Sequence, residues 1–359
     1  MSANRVDVFR GVEVESRHRV HAVVVGRTAG EEVRFGDPTI LTYWRSSMKP
    51  FQALPLVEDG VTEALPLEPA ELALCCASHA GSPDHVKAVA DILERMGLDE
   101  GDLRCGPHPP LDREEARALA RSGQEARAIH NNCSGKHAGM LALAVHHGWS
   151  TEGYTEQDHP VQGRIRGALR DWLDVDPGGL TWGVDGCGVP TPYLSLRQMA
   201  RAFARFGRAA ADGGLPGVGA ATDARGPDGE RAAGPGSTPA ARVVAAMTGH
   251  PERVSGWGRP VTRIMEATGG RLLAKEGAEG VLCLAGPSEG WGLALKVSDG
   301  ARRATTPAAL AIVESMGFLG AVEAEALEDL RRPVIRNRRD VAVGEVVPHM
   351  EGRAVVAAT

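Results

Sequence analysis

No long apolar run opens this sequence. The first residues, MSANRVDVFRGVEVESRHRVHAVVVG, carry a charged or polar group every few positions, which excludes a signal-peptide core or a spanning helix at the start and predicts a cytoplasmic protein with no membrane partner. Excess positive charge is missing too. The formal net charge is −6, so no polybasic surface calls for nucleic acid or anionic lipid as a partner. Cysteine is sparse: Cys75, Cys76, Cys105, Cys133, Cys187 and Cys283 do not form the dense pattern of a disulfide framework, which leaves core packing, nucleophilic chemistry or metal ligation. There is no internal repeat and no heptad pattern. Residues 211–240 have almost no large apolar side chains and are dense in Gly, Pro and Ala, so they are expected to form a flexible surface insertion without a catalytic role.

What remains is an ordinary globular composition, 43% hydrophobic and 24% charged over 359 residues, read as one domain over 1–359. RVHAVVVG (19–26) and PTILTYW (38–44) have strand character. The stretch from about 80 to 210 is mainly helical. Val86, Val89, Leu93 and Met96 recur at helical spacing, Asp112 and Glu115 have the form of a capping box, and Leu196, Met199, Phe203 and Phe206 make one stripe. Strands return after residue 270, in GRLLAKEG, GVLCLAG and GWGLALKVSDG, the last two as an antiparallel pair. A helix is expected from Thr306 as cap with Pro307 in its first turn, and RAVVAA (353–358) as a closing strand. The fold class is therefore α+β, with an antiparallel sheet built from both termini and a helical region between.

The chemistry gathers in a few stretches. In WRSSMKPF, Ser46 and Lys49 stand at i and i+3, the spacing of a serine nucleophile and its amine base, and Pro50 prevents the helix from starting much before Ser46. The serine then sits where helix-start N–H groups favour a developing anion. The competing assignment makes Ser46 or Ser47 a simple N-cap and Lys49 a solvated charge. Ser78 in CASHAG precedes a glycine turn, and Lys275 in AKEG ends a strand. A serine is a poor nucleophile until a base takes its proton, and lysine serves once burial or a neighbouring charge lowers its pKa. Ser-x-x-Lys with a late Lys-x-Gly resembles the serine β-lactamase and penicillin-binding pattern.

WRSSMKP, CASHAG, NNCSGKHAGM, DGCGVPTPY, AKEGAEGV and LKVSDG, in that order, resemble the type II L-asparaginases of the Rhizobium etli type, a family related in fold to serine β-lactamases and glutaminases. The resemblance implies hydrolysis of L-asparagine to L-aspartate and ammonia through a serine acyl-enzyme, with Ser46–Lys49 and Ser78–Lys275 as two serine–lysine pairs. It also implies a zinc ion, Zn(2+), on Cys133, Lys136 and Cys187, and a homodimer. Spacing alone favours reading the two cysteines as small buried hydrophobes and Lys136 as an ion-pair partner; the resemblance reverses that order. A lysine ligand has to bind as the neutral amine. Arg45 is a clamp for the substrate carboxylate or a surface arginine, and Asp185 an acceptor for the substrate ammonium or a turn former. His137, beside Lys136, is a candidate contact to substrate or to a metal-bound water, or a structural histidine. A glutaminase, a β-lactam hydrolase, or a zinc- or amino-acid-binding protein without turnover stand as alternatives.

Overall fold

The structure, a computed structural model, describes residues 4–26, 31–173, 175–212 and 238–355. The expected insertion falls almost wholly outside them: residues 211 and 212 end one helix, and Thr238 caps the next.

Strands from both ends of the chain meet in one antiparallel sheet of nine strands. In chain order they are β1 (Arg5–Arg10), β2 (Glu13–Val25) and β3 (Glu32–Phe35) from the start. Residues 41–43 form β4 (Leu41–Tyr43), and β5 (Trp182–Val184) and β6 (Pro190–Ser195) lie mid-chain. The late strands are β7 (Leu273–Glu276), β8 (Val281–Gly286), β9 (Trp291–Val297), β10 (Val334–Arg336), β11 (Ala342–His349) and β12 (Arg353–Val355). The order is β10-β11-β1-β2-β9-β8-β7, with β3 joined to β2 and β12. Long β2 is the hinge between N- and C-terminal segments because it pairs β1 along its first half and β9 along its second, Val20 opposite Val297.

Three expectations are corrected here. The 38–44 strand shrinks to Leu41–Tyr43 and leaves the large sheet for a separate one, β4-β6-β5. The helix expected from Thr306 starts earlier and spans Arg302–Ser315, with Pro307 inside it. Proline at that depth removes only the bond to the carbonyl of residue 303, within the first turns, which the helix tolerates. The Asp112 cap forms on Glu114 and Glu115 N–H, yet its reciprocal half does not, since the Asp112 N–H donates to Ala80 O instead.

Helix Leu196–Asp212 packs on β9, β8 and β2, and helix Arg302–Ser315 on β11, β9, β1 and β8. Every residue of β8 is buried as a result. Met199, Phe203 and Phe206 are fully buried, as their spacing predicts. Gly292 of β9 permits this seat: a β-carbon there would collide with Ala200 O and Ala204 N. Gly292→Ala is expected to cost about 3 kcal/mol, because the obstruction is backbone that cannot rotate away. Chemical denaturation against wild type measures it, and a loss below about 1 kcal/mol would show that the helix shifts freely. Among the described residues no helix is long and apolar enough to cross a membrane.

Candidate active site

The WRSSMKPF stretch is held at both ends by aromatic packing. Trp44 lies 4.8 Å from Phe51, and Phe51 in turn lies 5.5 Å from Phe203 and 4.9 Å from Phe206 on the sheet-covering helix. Between these anchors, Arg45–Met48 form a 3-10 turn that continues into the helical residues Lys49–Gln52. Arg45 itself sits at φ 54°, a left-handed conformation that side chains avoid and that is found where function holds strain of about 1–3 kcal/mol. Its N–H is fixed by Thr191 Oγ1 at 3.0 Å.

Four other segments converge on this turn. Ser78 follows helix Pro69–Cys75, Cys133 and Lys136 open helix Ser134–His146, Cys187 lies in the β5–β6 connection, and Lys275 is on edge strand β7. Glycines allow the approach. Gly135 has no room for a β-carbon against Leu74 O, so helix Ser134–His146 rests on the helix that leads to Ser78. At Gly277 a β-carbon would press on Trp44 O and Ser47 Oγ, so the end of β7 lies against the Ser46 turn.

Lys49 and Lys275 are both 1% exposed and Ser78 4%. Ser78 Oγ lies 3.1 Å from Lys49 Nζ and 2.8 Å from Lys275 Nζ, so one hydroxyl bridges two amines. Lys49 also donates to Ala77 O at 2.5 Å and to Cys133 Sγ at 3.2 Å, and Lys275 to Glu276 O at 3.1 Å. Burial first, and the Lys49 charge second, lower the Lys275 pKa to about 7. The expected direct bond between Ser46 and Lys49 is not formed. The three N–H bonds of Lys49 go to Ala77, Ser78 and Cys133, while Ser46 Oγ has no hydrogen-bond partner among the described residues and is half-buried. Ser47 Oγ instead turns inward to Trp44 O at 2.7 Å.

Arg45 and Asp185 pair with each other across 140 positions of sequence, Nε to Oδ1 at 3.0 Å. Asp185 Oδ1 also accepts the Gly186 N–H at 2.6 Å. Burial works against the Asp185 charge, but Arg45 and then Lys136 keep its pKa below the ordinary carboxylate value. His137 is fully buried and lies 2.7 Å from Tyr154 OH, a residue the sequence pattern did not single out. That hydroxyl accepts the Arg104 N–H, so its own proton goes to His137 Nδ1 and the imidazole proton is assigned to Nε2, which has no hydrogen-bond partner among the described residues.

Cys133, Lys136 and Cys187 also come together. Lys136 Nζ lies 2.9 Å from Cys187 Sγ. A hydrogen bond from Cys187, then Lys49 and Lys136, hold Cys133 well below the usual thiol pKa. Burial disfavours the Lys136 charge, but Cys187 and Cys133 more than compensate and raise its pKa. Among the described residues no set of three His, Cys, Asp or Glu side chains could hold a metal, and the third nitrogen or sulfur atom beside the two cysteines is the Lys136 amine. A thiol whose pKa is held down, a second thiol and an amine within bonding distance are a donor set that fits a thiophilic divalent cation, which would displace the amine and thiol protons.

Comparison with known proteins bears on this arrangement in one way. A family model described as L-asparaginase II matches residues 6–348, nearly the whole chain. No curated protein matches.

Proposed function

The chain belongs to the L-asparaginase II family, and from that premise we propose that it hydrolyses the side-chain amide of L-asparagine to L-aspartate and ammonia through an acyl-enzyme on Ser46. The observation that carries this reading is the buried Lys49–Ser78–Lys275 chain lying directly behind the Ser46 turn. With its pKa lowered to about 7, Lys275 is neutral in about half of the molecules at pH 7 and in most above it. It takes the Ser78 proton, Ser78 takes one from Lys49, and the Lys49 amine so formed takes the proton of Ser46 as Ser46 Oγ bonds the amide carbon. The same path returns the proton to the leaving nitrogen, which departs as ammonia. Water then attacks the ester with the relay acting again, and L-aspartate leaves. Ser46 and Lys49 share one face of a 3-10 turn, and catalytic hydrogen bonds often close only once substrate is bound. The Ser46 N–H, without an intrahelical partner at the start of this turn, is placed to stabilise the oxyanion.

Ser46 is preferred to Ser78 because it is accessible. Ser78 is nearly enclosed, and its N–H is committed to Val254 O at 2.9 Å, so it offers no oxyanion donor of its own. A second reading makes Ser78 the nucleophile, since it alone contacts both amines.

Arg45 and Asp185 match the two charges of an α-amino acid, guanidinium to carboxylate and carboxylate to ammonium. Arg45→Ala is expected to raise KM for asparagine about 10²-fold and to change kcat far less, as steady-state kinetics would report. An unchanged KM would return Arg45 to a structural ion pair. His137 Nε2–H is a further donor for substrate. The Ser-x-x-Lys turn facing a lysine on an edge strand supports the serine β-lactamase/glutaminase-like architecture. We assign Cys133, Lys136 and Cys187 as the zinc ligands. When bound there, the ion supplies a fixed positive charge beside the site that favours anionic intermediates.

Ammonia release from L-asparagine and L-glutamine in parallel tests the assignment. Glutamine is one methylene longer, worth roughly 10–200-fold in a fitted pocket. Release from asparagine in excess of glutamine by that margin supports it; preference for glutamine, or no release from either, overturns it.

A further inference from the structure

We propose that His79 is a positioning residue: it is the crossbar that fixes the separation between the Ser78 segment and the Cys133–Lys136 segment, and thereby holds Ser78 between the two lysines. The proposal rests on the reading of Ser78 as the relay hydroxyl.

His79 is fully buried. Its N–H donates to Asn132 O at 3.1 Å, and its Nε2 lies 2.9 Å from Ser134 Oγ. Ser134 spends its own proton on Ile129 O, also at 2.9 Å, so His79 Nε2 must be the donor. Nδ1 accordingly accepts, from the Gly81 N–H at 3.2 Å. One neutral tautomer satisfies every bond. The ring stacks on His85, 5.0 Å away and inclined by 12°, and His85 is itself fixed by Ser82 Oγ at 2.5 Å and Glu252 O at 3.0 Å.

The consequence lies at Lys49. That amine holds Ala77 O and Ser78 Oγ on one segment and Cys133 Sγ on the other. It keeps all three contacts only while the segments stay at one spacing, and His79 bonds across that gap, one residue after Ser78 and, through Ser134, one residue after Cys133. Loss of the crossbar frees Ser78, admits water to Lys275 and breaks the relay, although no group that touches substrate has been removed.

Three variants test this. His79→Phe keeps a ring on His85 but loses both side-chain bonds, His79→Gln restores a donor toward Ser134, and Ser134→Ala removes the partner while leaving His79. For His79→Phe we expect kcat to fall about 10²-fold with KM within a few-fold. The Lys275 amine, followed by 15N NMR of labelled lysine, should titrate about one unit higher than in wild type as water reaches it. His79→Gln should recover most of both effects, and His79→Phe with Ser134→Ala together should be no worse than His79→Phe alone. If His79→Phe proves unstable, Ser134→Ala and His79→Gln give the same comparison. Lowered thermal stability with kcat and the Lys275 titration unchanged, or additive effects of the two substitutions, would overturn the proposal. Absence of turnover in wild type would sink the proposed function, while the Lys275 titration would still decide the role of His79.

Discussion

Ser46→Ala is expected to release ammonia from L-asparagine about 10⁴-fold or more slowly than wild type while keeping its stability within about 0.5 kcal/mol. The asymmetry follows from where Ser46 stands. Its hydroxyl holds no hydrogen bond among the described residues and is only half-buried, so the fold loses almost nothing, whereas the acyl-enzyme loses the atom on which it forms. Ser78→Ala differs in kind. It leaves the amines of two buried lysines without their shared partner, so it should lower stability as well as rate. The pair is checked by steady-state ammonia release together with chemical denaturation. Ser46→Ala retaining a tenth of wild-type kcat would remove Ser46 from the chemistry.

Lys275→Met should act in opposite directions on rate and stability. In wild type kcat/KM should rise with pH through about 7 and then level off, because Lys275 accepts the relayed proton only when neutral. The variant loses that limb and about 10³-fold in rate. For stability, the folded-state pKa lies below the unfolded one. Between about 7 and 10.5 the unfolded chain therefore binds more protons, and wild-type stability climbs with pH across that window. Below it, the buried amine is a cost on the order of 4 kcal/mol. Methionine removes that cost but also the Lys275 bonds to Ser78 Oγ and Glu276 O, leaving Ser78 with Lys49 alone, at about 1–3 kcal/mol. The expected net is a gain on the order of 2 kcal/mol near pH 7 that turns into a loss above about pH 10. Denaturation curves at both values measure it. Lys275→Met less stable than wild type at pH 7, by the same amount as at pH 10, would mean that the lysine is an ordinary charged partner.

Local sequence carried much of this architecture because local rules governed it. The stripe Leu196, Met199, Phe203, Phe206 meets the sheet as its spacing requires, and the late strands pair as their punctuation suggests. Ser78 and Lys275, 197 positions apart, do meet. What escaped was set by tertiary geometry. The i,i+3 rule places Ser46 and Lys49 on one face but cannot tell that three acceptors from other segments draw the amine inward. Arg45 and Asp185 were each legible as a charge with two possible roles; only folding makes them partners. Helix Arg302–Ser315 packs on β11 and β9 and starts ahead of the Thr306–Pro307 start signal that the sequence offered. Tyr154 and His79 gave no motif of their own, since hydrogen bonds that orient a site leave no spacing to read. The one cue was His79 adjoining Ser78 in a stretch otherwise made of small residues.

The identity of the acylated serine tests the central claim most directly. The protein is mixed with L-asparagine, quenched in acid within one turnover, and digested for mass spectrometry of the serine-containing peptides. A β-aspartyl ester on the peptide that carries Ser46, absent from Ser46→Ala, is the expected result. An ester on the peptide that carries Ser78 would contradict it and make the hydroxyl between the two lysines the nucleophile.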